Sequence, residues 1–149
     1  MTNDQSTGGK GSPDREELLG VSRDGATRSD PARGEAAKEV SIEAARILKD
    51  DKCEDVVVLD LRGHSSVTDF FVIASGTSDR QMRSAGIHVE EMAREHGFDL
   101  HRSNLKEREA TWLVLDFVDV IVHLFEPETR LFYDLEMLWG DVQRVEWRR

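Results

Sequence analysis

Four aspartates are the residues of this 149-residue chain whose types and positions could support catalysis. Asp60 lies in a predicted strand, Asp69 opens the next strand, and Asp116 and Asp119 flank a predicted turn. Acids on adjacent strands can hold Mg²⁺ for phosphoryl or nucleotidyl transfer. However, no two of them form a DxD pair on one face of a strand, and no glycine-rich phosphate loop precedes them. Because Asp60 and Asp69 could equally accept backbone N–H groups, a Mg-dependent nucleotidyltransferase-like enzyme remains the alternative function.

Other catalytic signatures are missing from the sequence. It contains no GxxxxGK[ST], GxGxxG or GxSxG motif. Its five histidines and single cysteine do not have the clustered spacing of a zinc site, so we predict no metal, cofactor or catalytic residue. We expect His123, in the middle of a strand, to be partly buried with its hydrogen bonds satisfied. Cys53 has no second cysteine with which to form a disulfide.

The charge of the chain argues for a protein partner. The formal net charge is −10, and residues 39–149 carry 23 acids against 14 bases. Nucleic-acid surfaces normally offer a basic stripe to phosphates, so we expect no direct nucleic-acid site, whereas an acidic domain suits a basic protein. No apolar run is long enough to cross a membrane and no signal-peptide pattern is present, so we expect a soluble cytoplasmic protein without membrane contact.

The composition predicts one domain between two tails. Residues 1–37 contain six of the eleven glycines and two of the three prolines and lack aromatic residues, which is typical of a disordered polar segment. We therefore place the folded domain at residues 38–143 and a short tail at 144–149.

The hydrophobic periodicity predicts an α+β fold. A helix is expected from around Val40, with Ser41 as a possible cap, and a long helix runs from a Ser78–Gln81 capping box to Gly97. The predicted strands are residues 56–61, 69–75, 112–117 and 120–125. A last helix, capped by Thr129, would follow Pro127. The sum is a mixed sheet of about four to five strands packed by helices.

Aromatic residues are concentrated in the last third of the chain. Phe132 is in phase with Leu135 and Leu138 on the last predicted helix, so we expect it in the core. Tyr133 and Met137 lie off that stripe and could form an exposed patch with Trp112 and Trp139. Such aromatic anchors are typical of protein interfaces, including contacts between two copies of one chain, so a homodimer stays open.

Five segments, in their order and spacing, resemble the ribosomal silencing factor family, also called the Iojap-related proteins. They are VVVLDL, TDFFVIASG with TSDRQ, TWLVLDF, DVIVHLF and ETRLFYDLEMLW. The resemblance covers roughly residues 40–141. It implies a fold like that of nucleotidyltransferases without their active site, and a translational repressor that is not an enzyme. Such a repressor binds protein L-fourteen of the large ribosomal subunit and sterically blocks joining of the small subunit when nutrients are limited. Relatives in organelles assist assembly of the large subunit.

The resemblance also implies a set of contact residues. By position, direct contacts would come from Trp112, Tyr133, Leu135, Leu138 and Trp139, with Arg130 and Glu136 in support. Two positions depart from the family pattern: Leu105–Lys106 replaces a Glu-Gly pair, and Val118 replaces the glycine of the hairpin turn.

Overall fold

The computed structural model describes residues 30–149, which form a mixed sheet with helices on both faces. The helices are α1 (Pro31–Asp50), α2 (Asp79–Glu95), α3 (Pro127–Tyr133) and α4 (Leu135–Leu138). The strands are β1 (Glu54–Asp60), β2 (Phe70–Ser75), β3 (Arg102–Ser103), β4 (Trp112–Asp116), β5 (Val120–Phe125) and β6 (Gln143–Arg144). None of the helices in this part of the chain is both long and apolar enough to cross a membrane.

The sheet has six strands in the order β3-β4-β5-β2-β1-β6. The two central strands, β2 and β5, are parallel, and the other neighbours are antiparallel. The predicted α+β class and its four main strands are confirmed, but the expected count of four to five is too low. The additional edge strands β3 and β6 contain two residues each, which is too short to leave a periodic signal in the sequence.

The central strands bury both faces. Phe70 and Val72 of β2 pack with residues of α1 and α2, whereas Phe71 and Ile73 pack on the opposite face with Leu135 of α4. This division follows from the strand geometry, which points successive side chains to opposite sides. Helices α1 and α2 therefore cover one face of the sheet, and the carboxyl-terminal helices pack on the other.

Helix α1 begins nine residues earlier than the sequence indicated. The Asp30 carboxylate accepts hydrogen bonds from the backbone N–H groups of Ala32 and Arg33 at 3.1 and 3.3 Å, and Pro31 occupies the first turn. Ser41 does not cap the helix, because it is buried within it and donates to the Ala37 carbonyl at 2.8 Å. Residues 31–37, predicted as part of a disordered tail, are therefore helical. The rest of that predicted tail, residues 1–29, lies outside the described residues.

Helix α2 is as predicted. The Ser78 hydroxyl accepts from the Gln81 N–H at 3.1 Å, and the Gln81 side chain accepts from the Thr77 N–H at 2.7 Å. Its buried stripe consists of the six expected residues: Met82, Ala85, Gly86, Val89, Met92 and Ala93. After the helix, Gly97 takes a positive φ of 83°, which glycine adopts without strain.

The predicted carboxyl-terminal tail is part of the domain. Arg144 pairs with Leu59 of β1, and the Val145 N–H donates to the Val58 carbonyl at 2.9 Å. Trp147 is buried, and its indole N–H donates to the Val56 carbonyl at 3.1 Å. A single tryptophan in a charged segment has no periodicity to detect, yet it buries a large apolar surface. The prediction of a separate tail at 144–149 is therefore wrong.

The turn between β4 and β5 holds a strained residue. Val118 has a φ of 76°, and around it the Asp119 N–H donates to the Phe117 carbonyl at 3.0 Å. A β-branched residue in this conformation is an outlier, and such strain costs on the order of 1–3 kcal/mol. Two side chains hold the turn from either side: the Asp116 carboxylate accepts from the Val118 N–H at 2.8 Å, and Arg33 Nε donates to Asp119 at 2.9 Å.

Val118→Gly should therefore stabilise the fold. The valine side chain is 41% exposed, so little packing is lost. Relief of strain should outweigh the extra backbone entropy of glycine in the unfolded chain, giving a net gain of about 1 kcal/mol. Chemical denaturation followed by circular dichroism measures this change. Val118→Ala keeps the Cβ atom and should gain less. A glycine variant that is no more stable than wild type would show that the strain at this turn does not exceed the entropic cost of glycine.

Candidate functional site

Five large apolar side chains are exposed within one short segment at the end of the domain. They are Leu131 (81% exposed), Phe132 (81%), Tyr133 (47%), Met137 (76%) and Leu138 (52%). Single exposed apolar residues are normal on protein surfaces, whereas a group of this kind is a candidate interaction site. We call these five residues the α3–α4 surface.

An interruption of the helix between α3 and α4 creates the α3–α4 surface. The sequence predicted one helix, but Asp134 takes a left-handed conformation (φ 47°, ψ 52°) that ends α3 and starts α4. Aspartate is among the few residues that tolerate this conformation. The assumed continuous helical period therefore fails, and Phe132, expected in the core, is exposed. Thr129 is not the cap either, because Glu126 holds that position and its side chain makes no capping bond.

An arginine brace fixes the angle between the two helices. Arg130 donates through Nε and Nη2 to the two carboxylate oxygens of Glu136, both at 3.0 Å. Its Nη1 donates to the hydroxyl of Ser75, at the end of β2, at 2.8 Å. The pair is largely buried, and the two-pronged geometry is the strong form of an arginine–carboxylate contact. This brace ties both helices to the centre of the sheet.

Trp112 supports the α3–α4 surface from below. Its half-buried ring stacks on Phe125 at a centroid distance of 4.7 Å and leans against Tyr133, also at 4.7 Å. Half-buried Trp139 meets the edge of Phe71 at 6.4 Å. Leu135 is fully buried among the core residues of the same sheet face, so it anchors α4.

The seven site residues implied by the family resemblance occupy three kinds of position in the structure. Tyr133 and Leu138 are exposed, while Trp112 and Trp139 form a half-buried layer beneath. The remaining three hold the segment in place: Arg130, Leu135 and Glu136. Sequence reasoning missed Leu131 and Phe132, and the available signal was the aspartate that ends α3.

His123 is more deeply placed than expected. It is fully buried in β5, and its Nδ1 accepts a hydrogen bond from the indole N–H of Trp112 at 3.1 Å. Burial lowers the pKa of the His123 imidazole to about 3, so the ring is neutral near pH 7. The other nitrogen, Nε2, has no hydrogen-bond partner among residues 30–149, which corrects the expectation that this histidine is satisfied.

Arginines engage three of the four candidate catalytic aspartates. Arg62 binds Asp60 at 2.7 Å, Arg102 lies 3.3 Å from Asp116, and Arg33 lies 2.9 Å from Asp119. Burial opposes ionisation of Asp60, but the hydrogen bonds and charge of Arg62 outweigh it and lower the pKa of that carboxyl.

Asp69 is the fourth candidate, and it is buried near Gly34 and Arg62. Over the described range, no three His, Cys, Asp or Glu side chains are grouped as metal ligands would be. The contacts that the structure shows for Asp60, Asp116 and Asp119 are ion pairs with arginines.

The border of the α3–α4 surface is acidic. Residues 126–141 include five acids and one base, and that base, Arg130, is engaged by Glu136. Glu128, Asp134 and Asp141 are exposed within or next to the same stretch of sequence. This arrangement of an apolar centre with a negatively charged rim suits a partner whose contact surface is basic.

The brace predicts a stability difference between two arginines. Arg130→Met should lower the free energy of unfolding by about 2 kcal/mol, because it removes charged hydrogen bonds from a largely buried site. Arg94→Met is the matched control: its pair with Glu90 is exposed on α2, so the loss should stay below about 0.5 kcal/mol. Chemical denaturation of both variants provides the comparison. Equal losses would mean that the brace contributes no more than a surface pair.

Comparison with known proteins identifies the family. The family model described as "Ribosomal silencing factor during starvation" matches residues 34–149. The ribosomal silencing factor of Halalkalibacterium halodurans is 38% identical over 103 residues, which is 69% of this chain and 87% of that protein. The Bacillus subtilis factor is 38% identical over 98 residues, 66% of this chain and 82% of the relative.

A solved structure agrees with the sequence comparison. The crystal structure of a Chromobacterium violaceum protein superposes with a TM-score of 0.64 at 32% identity, covering 75% of this chain and 92% of that one. The family match includes β6 and Trp147, which pack against β1 in the present fold. On these grounds, the chain belongs to the ribosomal silencing factor family.

Proposed function

We propose that this protein binds the large ribosomal subunit at protein L-fourteen through the α3–α4 surface and sterically blocks joining of the small subunit. By this action it would slow translation in the cytoplasm when nutrients are limited. The proposed mechanism is occupation of a docking site, without a catalytic step or a cofactor. The names of the relatives, ribosomal silencing factors, support the process, and the geometry supports the surface.

The observation that carries the proposal is the exposure of five large apolar side chains on a braced segment. Leu131, Phe132 and Met137 each leave about four fifths of their surface open, although the neighbouring Leu135 is buried. Because Arg130, Glu136 and Ser75 fix the segment, it needs little ordering on binding. A preorganised apolar surface binds more tightly than a flexible one of the same area.

The charge around the surface favours a basic protein over RNA as the direct contact. Exposed Glu128, Asp134 and Asp141 would repel phosphates but attract lysines and arginines. Docking on a protein component of a ribosomal face requires no basic stripe. This agrees with the net charge of −10.

The proposed contact set differs from the one implied by family resemblance. Tyr133 and Leu138 keep their role as direct contacts, and Trp112 and Trp139 contribute their exposed edges. Leu131, Phe132 and Met137 join the contacts because of their exposure. The other three residues support the surface rather than touching the partner: Arg130, Leu135 and Glu136.

A subunit-joining assay tests the function. Isolated small and large subunits are mixed with increasing amounts of the protein and separated on a sucrose gradient. The fraction of joined ribosomes should fall as the protein saturates the large subunit, and the protein should sediment with the large subunit alone. Full joining at saturating protein would refute the blocking mechanism.

Charge substitutions test the surface. Phe132→Asp and Met137→Asp should each weaken large-subunit binding by at least about tenfold, because a carboxylate would be desolvated in an apolar contact. Ile87→Asp is the matched control, since Ile87 is 44% exposed on α2, across the sheet from α3 and α4. Trp112→Ala and Tyr133→Ala should also weaken binding. Equal binding by the Phe132, Met137 and Ile87 variants would exclude the α3–α4 surface.

A second copy of the chain is the competing occupant of the α3–α4 surface. Mass photometry over a dilution series distinguishes the two cases. A homodimer that persists at nanomolar concentration, and that Phe132→Asp converts to monomer, would assign the surface to self-association first. The large subunit would then have to compete with the dimer for the same residues.

A further inference from the structure

We propose that His123 is a positioning residue for partner binding: its Nδ1 holds the Trp112 indole in the orientation that supports Tyr133. The effect on affinity rests on the function proposed above, whereas the positioning itself can be measured on the protein alone. From the sequence, His123 was expected to be a partly buried histidine with its hydrogen bonds satisfied and no role in binding.

His123 lies at the centre of the sheet, directly below the proposed contact layer. In the register it is opposite Ile73 of β2 on one side and Val114 of β4 on the other. Trp112 pairs with Phe125, two residues further along β5, so its indole reaches His123 diagonally across the strands. The two ring centroids are 5.9 Å apart, and Trp112 Nε1 lies 3.1 Å from His123 Nδ1.

The chemistry of the two side chains fixes their roles in this bond. An indole N–H can only donate, so His123 Nδ1 must be the unprotonated nitrogen. The ring is neutral, because burial disfavours the imidazolium, and its proton therefore resides on Nε2. A proton on Nδ1 instead would remove the hydrogen bond from Trp112, so this bond requires the tautomer that is protonated on Nε2.

The Nε2–H of this histidine should be unfavourable for stability. With Nδ1 accepting, the Nε2–H is a buried donor that finds no partner among the described residues. Such a donor destabilises a protein, and an aliphatic side chain at the same place would avoid the cost. The useful property of a histidine here is the acceptor at Nδ1, which a leucine could not provide.

The orientation of Trp112 passes to the exposed surface through ring contacts. The indole stacks on Phe125 and makes a tilted contact with Tyr133, each at a centroid distance of 4.7 Å. If the indole leaves the Nδ1 acceptor, Tyr133 loses its support. Only the fraction of molecules with the supported arrangement would bind the partner, and the apparent dissociation constant rises in inverse proportion to that fraction.

His123 also reaches the second tryptophan of the contact layer. The Phe71 ring meets the His123 ring at 4.5 Å with an interplanar angle of 74°, and it meets the Trp139 ring at 6.4 Å. The buried imidazole thus touches Trp112 directly and Trp139 through one intermediate ring.

Two substitutions separate positioning from stability. His123→Leu removes the unsatisfied Nε2–H, but it also leaves the Trp112 indole N–H without its acceptor. These two effects oppose each other, so the stability of this variant should stay close to that of wild type. His123→Asn places its amide oxygen where Nδ1 was, but it leaves a void and polar atoms in the core, so it should be less stable. For large-subunit binding, the order of the two variants should be the opposite of their order in stability. The leucine variant should bind about three- to tenfold more weakly than wild type, and the asparagine variant should bind more tightly than the leucine variant.

The indole N–H signals provide a readout that needs no partner. The chain has three tryptophans, so a nitrogen–proton correlation spectrum shows three indole signals, and Trp112→Phe identifies the relevant one. That signal should move in His123→Leu and remain close to the wild-type position in His123→Asn. The signal of Trp147, which bonds the Val56 carbonyl, serves as the internal control and should stay fixed in both variants.

The possible failures are distinguishable. An unmoved Trp112 signal in His123→Leu, or leucine-variant binding equal to wild type, would overturn the positioning role. Binding that simply follows stability, weaker for asparagine than for leucine, would reduce His123 to a packing residue and also overturn it. If wild-type protein itself fails to sediment with large subunits, the proposed function falls, whereas the shift of the Trp112 signal still decides whether His123 orients the indole.

Discussion

The left-handed backbone at Asp134 is the constraint on which the geometry of the binding segment depends. It interrupts what would otherwise be one helix and turns Leu131 and Phe132 away from the core. The interruption alone would leave a loose segment with exposed apolar residues. Arg130 prevents this, because one guanidinium holds Glu136 beyond the break and Ser75 on the sheet. The left-handed conformation of Asp134 and the Arg130–Glu136 ion pair together give the segment of α3 and α4 a defined surface.

The two faces of the sheet differ in the side chains that they bury. One face is covered by α1 and α2, and its alternating apolar residues form a conventional core. The other face carries a layer of rings, with His123 and Phe71 beneath Trp112 and Trp139. This second layer contains a buried polar group with one unmatched donor, a feature that packing alone would not select. The local inconsistency with good core design lies next to the proposed site, where such inconsistencies are expected.

The sequence predicted the elements that have strong periodicity. Helix α2, with its apolar stripe and its Ser78 cap, and the four long strands could be read directly. The start of α1 was missed because glycine and proline dominated the composition, although the Asp30–Pro31 cap was present. Phe132 was misplaced because helical phase is meaningful only within a continuous helix, and Asp134 ends that continuity. The ring contacts of His123 join three strands, so no pattern along the chain could reveal them.

The parallel pairing of β2 and β5 has a consequence for how the protein becomes competent. These central neighbours are separated in sequence by α2, β3 and β4, so the middle of the sheet closes only after a long stretch of chain has been ordered. Helices α3 and α4 attach to that middle through Ser75 and Leu135. A partly folded chain would therefore have no platform on which to display the apolar segment. Only a chain whose whole sheet has assembled would therefore bind a partner through this segment.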